Sequence, residues 1–145
     1  MKKLVALLLT MLVATSAFAV IDPDTDMMGF YFDQAGDNNC AAVAASTPTF
    51  VYVLYTNPSV EFIEAYTFGY NIEVPVGFDA LIFKLAETLP PGGIRVGDDG
   101  DTVPEGGDFG VGLAEPLYPV NGTCKLVTFQ FMLLSPGMQA AFNLT

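Results

Sequence analysis

The 145 residues include 16 acidic side chains, five basic ones and no histidine, for a formal net charge of −11. So acidic a chain repels phosphate backbones, which argues against nucleic-acid and anionic-membrane partners. Without histidine there is no Ser-His-Asp triad, no Cys-His pair and no imidazole-based zinc site.

The chain opens MKKLVALLLTMLVATSAFAV. Lys2 and Lys3 form a positive start, and Leu4 to Val13 is an apolar run too short to span a bilayer of about 30 Å as a helix. Ala17-Phe18-Ala19 is a small-x-small cleavage site. This pattern predicts a Sec-type signal peptide over residues 1–19, cut after Ala19, and a secreted or periplasmic domain over 20–145. No second long apolar run follows, so no membrane-spanning helix is expected in the mature chain. Removing the leader leaves Lys84, Arg95 and Lys125 against all 16 acids. The acidic run Asp22, Asp24, Asp26 reads as a frayed N-terminus.

Beyond the leader, period-two alternation replaces helical periodicity. Residues 28–33 (MGFYFD) predict a first strand and 49–56 (TFVYVLYT) a second. Phe50, Tyr52 and Leu54 are read as the core face of the second, with Val51, Val53 and Tyr55 opposite. In residues 62–74, Phe62, Tyr66, Phe68, Tyr70, Ile72 and Val74 take even positions, which predicts an apolar face, with Gly69 marking a bulge. Residues 77–89 fit a strand with Leu81, Phe83 and Leu85 on one face. They also fit a helix, and the β character of their surroundings favours the strand. Ile94 to Val96 predicts a further short strand. Residues 123–134 form the clearest strand: Lys125, Val127, Phe129, Phe131 and Leu133 alternate with Cys124, Leu126, Thr128, Gln130 and Met132. Residues 138–145 alternate too, and are expected to pair back on this strand through Ser135-Pro136-Gly137. Seven to nine short strands with Pro/Gly-rich turns predict an all-β, antiparallel, immunoglobulin- or cohesin-like β-sandwich. Too few runs are long enough for a membrane barrel.

Cys40 and Cys124 are the only cysteines. Export into an oxidising compartment makes a Cys40–Cys124 disulfide the expectation. Residues 97–110 (GDDGDTVPEGGDFG) gather Asp98, Asp99, Asp101, Glu105 and Asp108 among glycines. From Asp99 the EF-hand register meets Val103 at its fifth position, and from Asp98 it meets Gly100 at its third, so both fail. Two readings stay open: a solvated turn, or an irregular Ca²⁺ site built from those five carboxylates. Six tyrosines, at 31, 52, 55, 66, 70 and 118, suggest either core positions or a flat sugar-binding face.

The segment GFYFDQAGDNNC, Gly29 to Cys40, resembles the G-x-Y-x-D-x-x-G-x-x-C-like start of small secreted bacterial β-sandwich proteins of unknown function, with a longer spacing before the Cys. The ending GTCKLVTFQFMLLSPGMQAAFNLT is similar to the last strands of cohesins and related carbohydrate-binding sandwich modules. That resemblance implies a nine-stranded sandwich that binds a protein partner or sugar, and assigns no recognition residue here. The function expected is non-catalytic: protein–protein or cell-surface association with an extracellular protein or glycan. The alternative is a carbohydrate- or calcium-binding module, with Ca²⁺ as the one cofactor considered.

Overall fold

Alternation in residues 62–74 carries directly into structure. In the computed structural model, which describes residues 24–96 and 106–145, Tyr66, Phe68, Tyr70 and Ile72 are all buried along one strand. That strand is β3 (Ile63–Glu73). The others are β1 (Met27–Tyr31), β2 (Thr49–Thr56), β4 (Ile82–Thr88), β5 (Gly93–Arg95), β6 (Gly107–Leu117), β7 (Thr123–Leu133) and β8 (Ala141–Leu144). A single 3-10 turn, Asp79–Leu81, leads into β4. All pairings are antiparallel, in two four-stranded sheets. The first has the order β1-β2-β7-β4, and the second β5-β6-β3-β8. Among the described residues no helix is long and apolar enough to cross a membrane.

The sheets meet across a core of aromatic rings. Phe129 of β7 lies 5.2 Å from Tyr70 and 5.5 Å from Phe109 of the opposite sheet, the latter nearly perpendicular. Phe68 and Phe109, cross-strand partners in β3 and β6, stack at 5.0 Å. Offset and edge-to-face pairs of this kind add about 0.5–1.5 kcal/mol each beyond area burial. The Tyr66 hydroxyl, buried with its ring, donates to the Leu126 carbonyl at 2.5 Å. That bond joins the sheets and satisfies the one polar atom the ring brings inside.

Several faces differ from their sequence reading. In β2 the core face is Val51 and Val53, while Phe50 is half exposed and points outward with Tyr52. Both faces of this strand are apolar, so alternation fixed the pairing of residues and not its direction. In β7 Leu126 and Val127 are both buried, because the register steps from Val53↔Val127 to Leu54↔Lys125. This bulge moves the inward set from Cys124 and Leu126 to Val127, Phe129 and Phe131. Residues 82–88 are a strand, but Phe83 and Leu85 face solvent and Ile82 enters the core. Residues 141–144 pair with β3 and not with β7, whose two sides are already taken by β2 and β4.

Three side-chain devices close the structure. The first is a turn after β1. One Asp33 carboxylate oxygen accepts from the N–H groups of Ala35, Gly36 and Asp37 at 2.9, 2.8 and 3.1 Å, and the other accepts from the Asn38 amide. Burial opposes ionisation of Asp33, but these four donors outweigh it and hold the carboxyl below its usual range. The turn carries Gly36 (φ 81°) onto the outer side of β2, where Leu54 and Thr56 lie fully buried beneath it. The second fixes the N-terminus. Asp26 accepts from the Ser59 hydroxyl at 2.6 Å, from the Ser59 N–H at 2.7 Å and from the Tyr55 hydroxyl. Residues from Asp24 on are therefore held against the β2–β3 corner and are not frayed, while Asp22 lies outside the described residues. The third closes the gap between edge strands β4 and β5. Glu87 pairs with Lys84 at 3.3 Å and with Arg95 at 3.1 Å, and the Arg95 guanidinium lies 3.9 Å over the Phe109 ring. These charges sit at the rim of the core, where stacking and pairing of a partly desolvated Arg contribute on the order of 1 kcal/mol.

Candidate binding faces

The expected disulfide does not form: both cysteines are free. Cys124 is buried at the start of β7, whereas Cys40 is exposed and lines a groove with Phe131 and Leu133 at the other end of that strand. Seven residues at about 3.3 Å each separate the two ends by roughly 20 Å. A disulfide needs Cα atoms within about 7 Å.

Of the five loop carboxylates, Asp98, Asp99, Asp101 and Glu105 fall outside the described residues. Asp108 is exposed within β6, a strand the glycines of this stretch concealed. Among the described residues no three Asp, Glu, Cys or His side chains gather as metal ligands do. The loop rejoins the sheet at Gly106 (φ 87°), where any Cβ would collide with the Tyr70 carbonyl.

The tyrosines divide. Tyr66 and Tyr70 are core residues, Tyr118 is exposed, and Tyr31, Tyr52 and Tyr55 are half buried. Tyr55 is pushed up to about 12, first by its hydrogen bond to Asp26, and Asp26 is pushed down, first by the Ser59 hydroxyl. Both shifts lead away from neutral pH. A proton-transfer group needs the reverse, so this cluster serves as a fastening.

The outer face of the β5-β6-β3-β8 sheet is built from small residues. β6 sends out Gly110, Gly112 and Ala114 between the inward Phe109, Val111 and Leu113; β3 sends out Ala65, Thr67 and Gly69. Cross-strand pairs Ala65↔Gly112 and Thr67↔Gly110 make the centre flat, and Ile94↔Gly112 extends the row to β5. Two of the three glycines have a steric cause. A Cβ on Gly69 would meet Thr145 Oγ1 at 2.5 Å and Asp108 Oδ1 at 2.9 Å; one on Gly110 would meet the Val96 carbonyl at 2.9 Å. Gly112 has none: its φ is not positive and a Cβ there would meet nothing within 4 Å. A mid-strand glycine costs about 0.5–1 kcal/mol relative to alanine, and commonly marks close approach by a ligand or another backbone.

The outer face of the β1-β2-β7-β4 sheet has a different chemistry. Tyr31 pairs with Tyr52, and Tyr52 with Thr128; Phe50 pairs with Gln130, which is flanked by Ala86; Met132 pairs with Phe83. The Phe50 and Tyr52 rings stack at 6.5 Å with their planes 23° apart. Between Thr128 and Met132 no outward residue carries a charge. Lys125 lies beyond, donating to Gln34 at 3.4 Å.

Neither face was identified from sequence. The available signals were the alternation of Phe109, Val111 and Leu113 with glycines, and an apolar strand at 49–56 with aromatic residues on both its faces. Comparison with known proteins finds no matching family model, no matching curated protein and no matching solved structure.

Proposed function

We propose that the chain is an exported, non-catalytic β-sandwich that works by association, seating a protein partner on the outer face of the β5-β6-β3-β8 sheet. Its winding is read as a jelly roll, in which β2 pairs with β7, β3 with β6, and β1 runs beside β8 along the open side. The observation that carries the reading is Gly112. Its lack of a side chain serves neither the backbone nor the internal packing, so its use lies outside the chain. The flat surround of Ala65, Thr67 and Gly110 would let a partner's backbone reach the sheet. Exposed Ile94, at 65%, supplies an apolar anchor beside it.

The test uses the mature domain as immobilised bait against its own culture medium and cell envelope. The Gly112→Trp variant is expected to melt within a few degrees of the parent, because nothing inside the fold opposes the new side chain. It is expected to lose the partner that the parent retains. Equal capture by both baits would remove this face from consideration.

A further inference from the structure

The aromatic face of the other sheet lies on the opposite side of the sandwich, and the small-residue argument does not touch it. We infer that the outer face of β1, β2, β7 and β4 binds a neutral polysaccharide. Three observations converge on that ligand.

The first is ring placement. Tyr31, Tyr52 and Phe50 occupy neighbouring outward positions on two adjacent strands, and the Phe50 and Tyr52 rings are within 23° of coplanar. Tyr31 is held in place from two sides. Positions for a Cβ on Gly29 and Gly36 lie 3.0 Å and 3.8 Å from its ring carbons, so the ring packs against both glycines. Rings held this way present their faces at little entropic cost, and the C–H faces of pyranose rings stack on such surfaces.

The second is what lies beside the rings. Tyr52 is flanked by Thr128 and Thr88 across two strands, and Phe50 by Gln130. A ring with a hydroxyl or amide next to it, repeated on successive strands, matches a sugar's alternation of apolar face and equatorial hydroxyl. A protein hot spot would instead call for a deep, desolvated pocket, and the grooves found in this molecule lie at its ends and seams, clear of Phe50, Tyr52 and Gln130.

The third is charge. The whole chain carries −11, yet this patch has no ionised group. Its surroundings include Asp33 and Asp37 on the adjacent turn. An anionic glycan such as a uronate polymer would meet repulsion, while a neutral chain would meet none.

Native affinity electrophoresis reads this directly. The mature domain is run through gels containing hydroxyethylcellulose, mixed-linkage β-glucan or galactomannan, and in parallel through carboxymethylcellulose and polygalacturonate. At least one neutral gel is expected to retard the parent and the anionic gels to leave it unretarded. Phe50→Ala/Tyr52→Ala is expected to weaken retardation by about tenfold, the loss of two ring stacks. Its melting temperature should stay near that of the parent, because these rings are outside the core. Gly112→Trp should be retarded like the parent, which separates this face from the other one. No retardation in any neutral gel would overturn the inference. So would undiminished retardation of the double variant, equal retardation in the anionic gels, or loss of a bound protein alone on double substitution.

Discussion

Phe129 offers the sharpest test of how the two sheets are held together. Its side chain is fully buried and touches rings from both sheets: Phe30 at 6.4 Å, Tyr70 at 5.2 Å, Phe109 at 5.5 Å and Phe131 at 5.5 Å. Phe129→Ala removes the ring and leaves a cavity that a rigid cage of rings cannot collapse to fill. Core Phe→Ala changes cost about 3–5 kcal/mol, and the ring contacts place this one near 4. With a urea dependence of about 1.5 kcal/mol per molar, the midpoint should fall by about 2.5 M with an unchanged slope. Phe129→Leu keeps most of the volume and should lose about 1.5 kcal/mol, which guards against a variant too unstable to measure. Combining Phe129→Leu with Phe109→Leu should reveal a coupling of about 0.5–1.5 kcal/mol, since the two rings meet edge to face. A loss below about 1 kcal/mol for Phe129→Ala would mean that the sheets are not packed on this ring, and the reasoning would fail.

Gly106→Ala is expected to cost about 3 kcal/mol or more, because the backbone φ and the Tyr70 carbonyl both oppose a Cβ. A thermal melt should drop by more than about 10 °C, and a shift of only a degree or two would contradict the described path into β6. Alkaline titration should destabilise the protein. Tyr70, raised to about 12 by burial and then by the charge of Glu87, and Tyr55, raised to about 12 through Asp26, keep their protons longer when folded. The stability they add is complete below about pH 10 and lost as pH rises through about 12. Tyr55→Phe should remove part of that slope, and a flat stability profile from pH 9 to 12 would refute the assignment. Thiol labelling of the native protein should modify Cys40 within minutes. Cys124, buried and with its thiol pushed up by that burial, should react only on unfolding. A mass lower by two hydrogens in the unreduced protein would instead establish an intramolecular disulfide.

The sequence made the all-β class and the inward set of β3 legible, because Tyr66, Phe68, Tyr70 and Ile72 alternate with polar or small residues that leave no choice of face. In β2 the same logic misassigned the core face. Phe50 and Tyr52 are as apolar as Val51 and Val53, and only the opposing sheet decides which pair is covered. The β7 bulge was beyond reach for a related reason: one extra residue, Leu126, resets the alternation halfway along a strand whose two halves each look regular. β6 was missed because Gly110, Gly112 and Pro116 read as loop, although Phe109, Val111 and Leu113 mark its inner face. The disulfide was expected from compartment chemistry, and distance along β7 removed it. The binding faces lay furthest from view. They consist of outward positions on strands adjacent only after folding, so no window of sequence contains either one.

The nested pairing has a kinetic side. Thr56 waits for Thr123 and Thr49 for Phe131, and the β3–β6 pair forms inside that span. No early fragment emerging from a ribosome can enclose Val51, Val53 or Tyr70, because the strands that cover them are made last. Such high contact order places refolding in the milliseconds-to-seconds range and makes folding an all-at-once event late in synthesis. Until β7 is complete, the chain stays extended and open to chaperones.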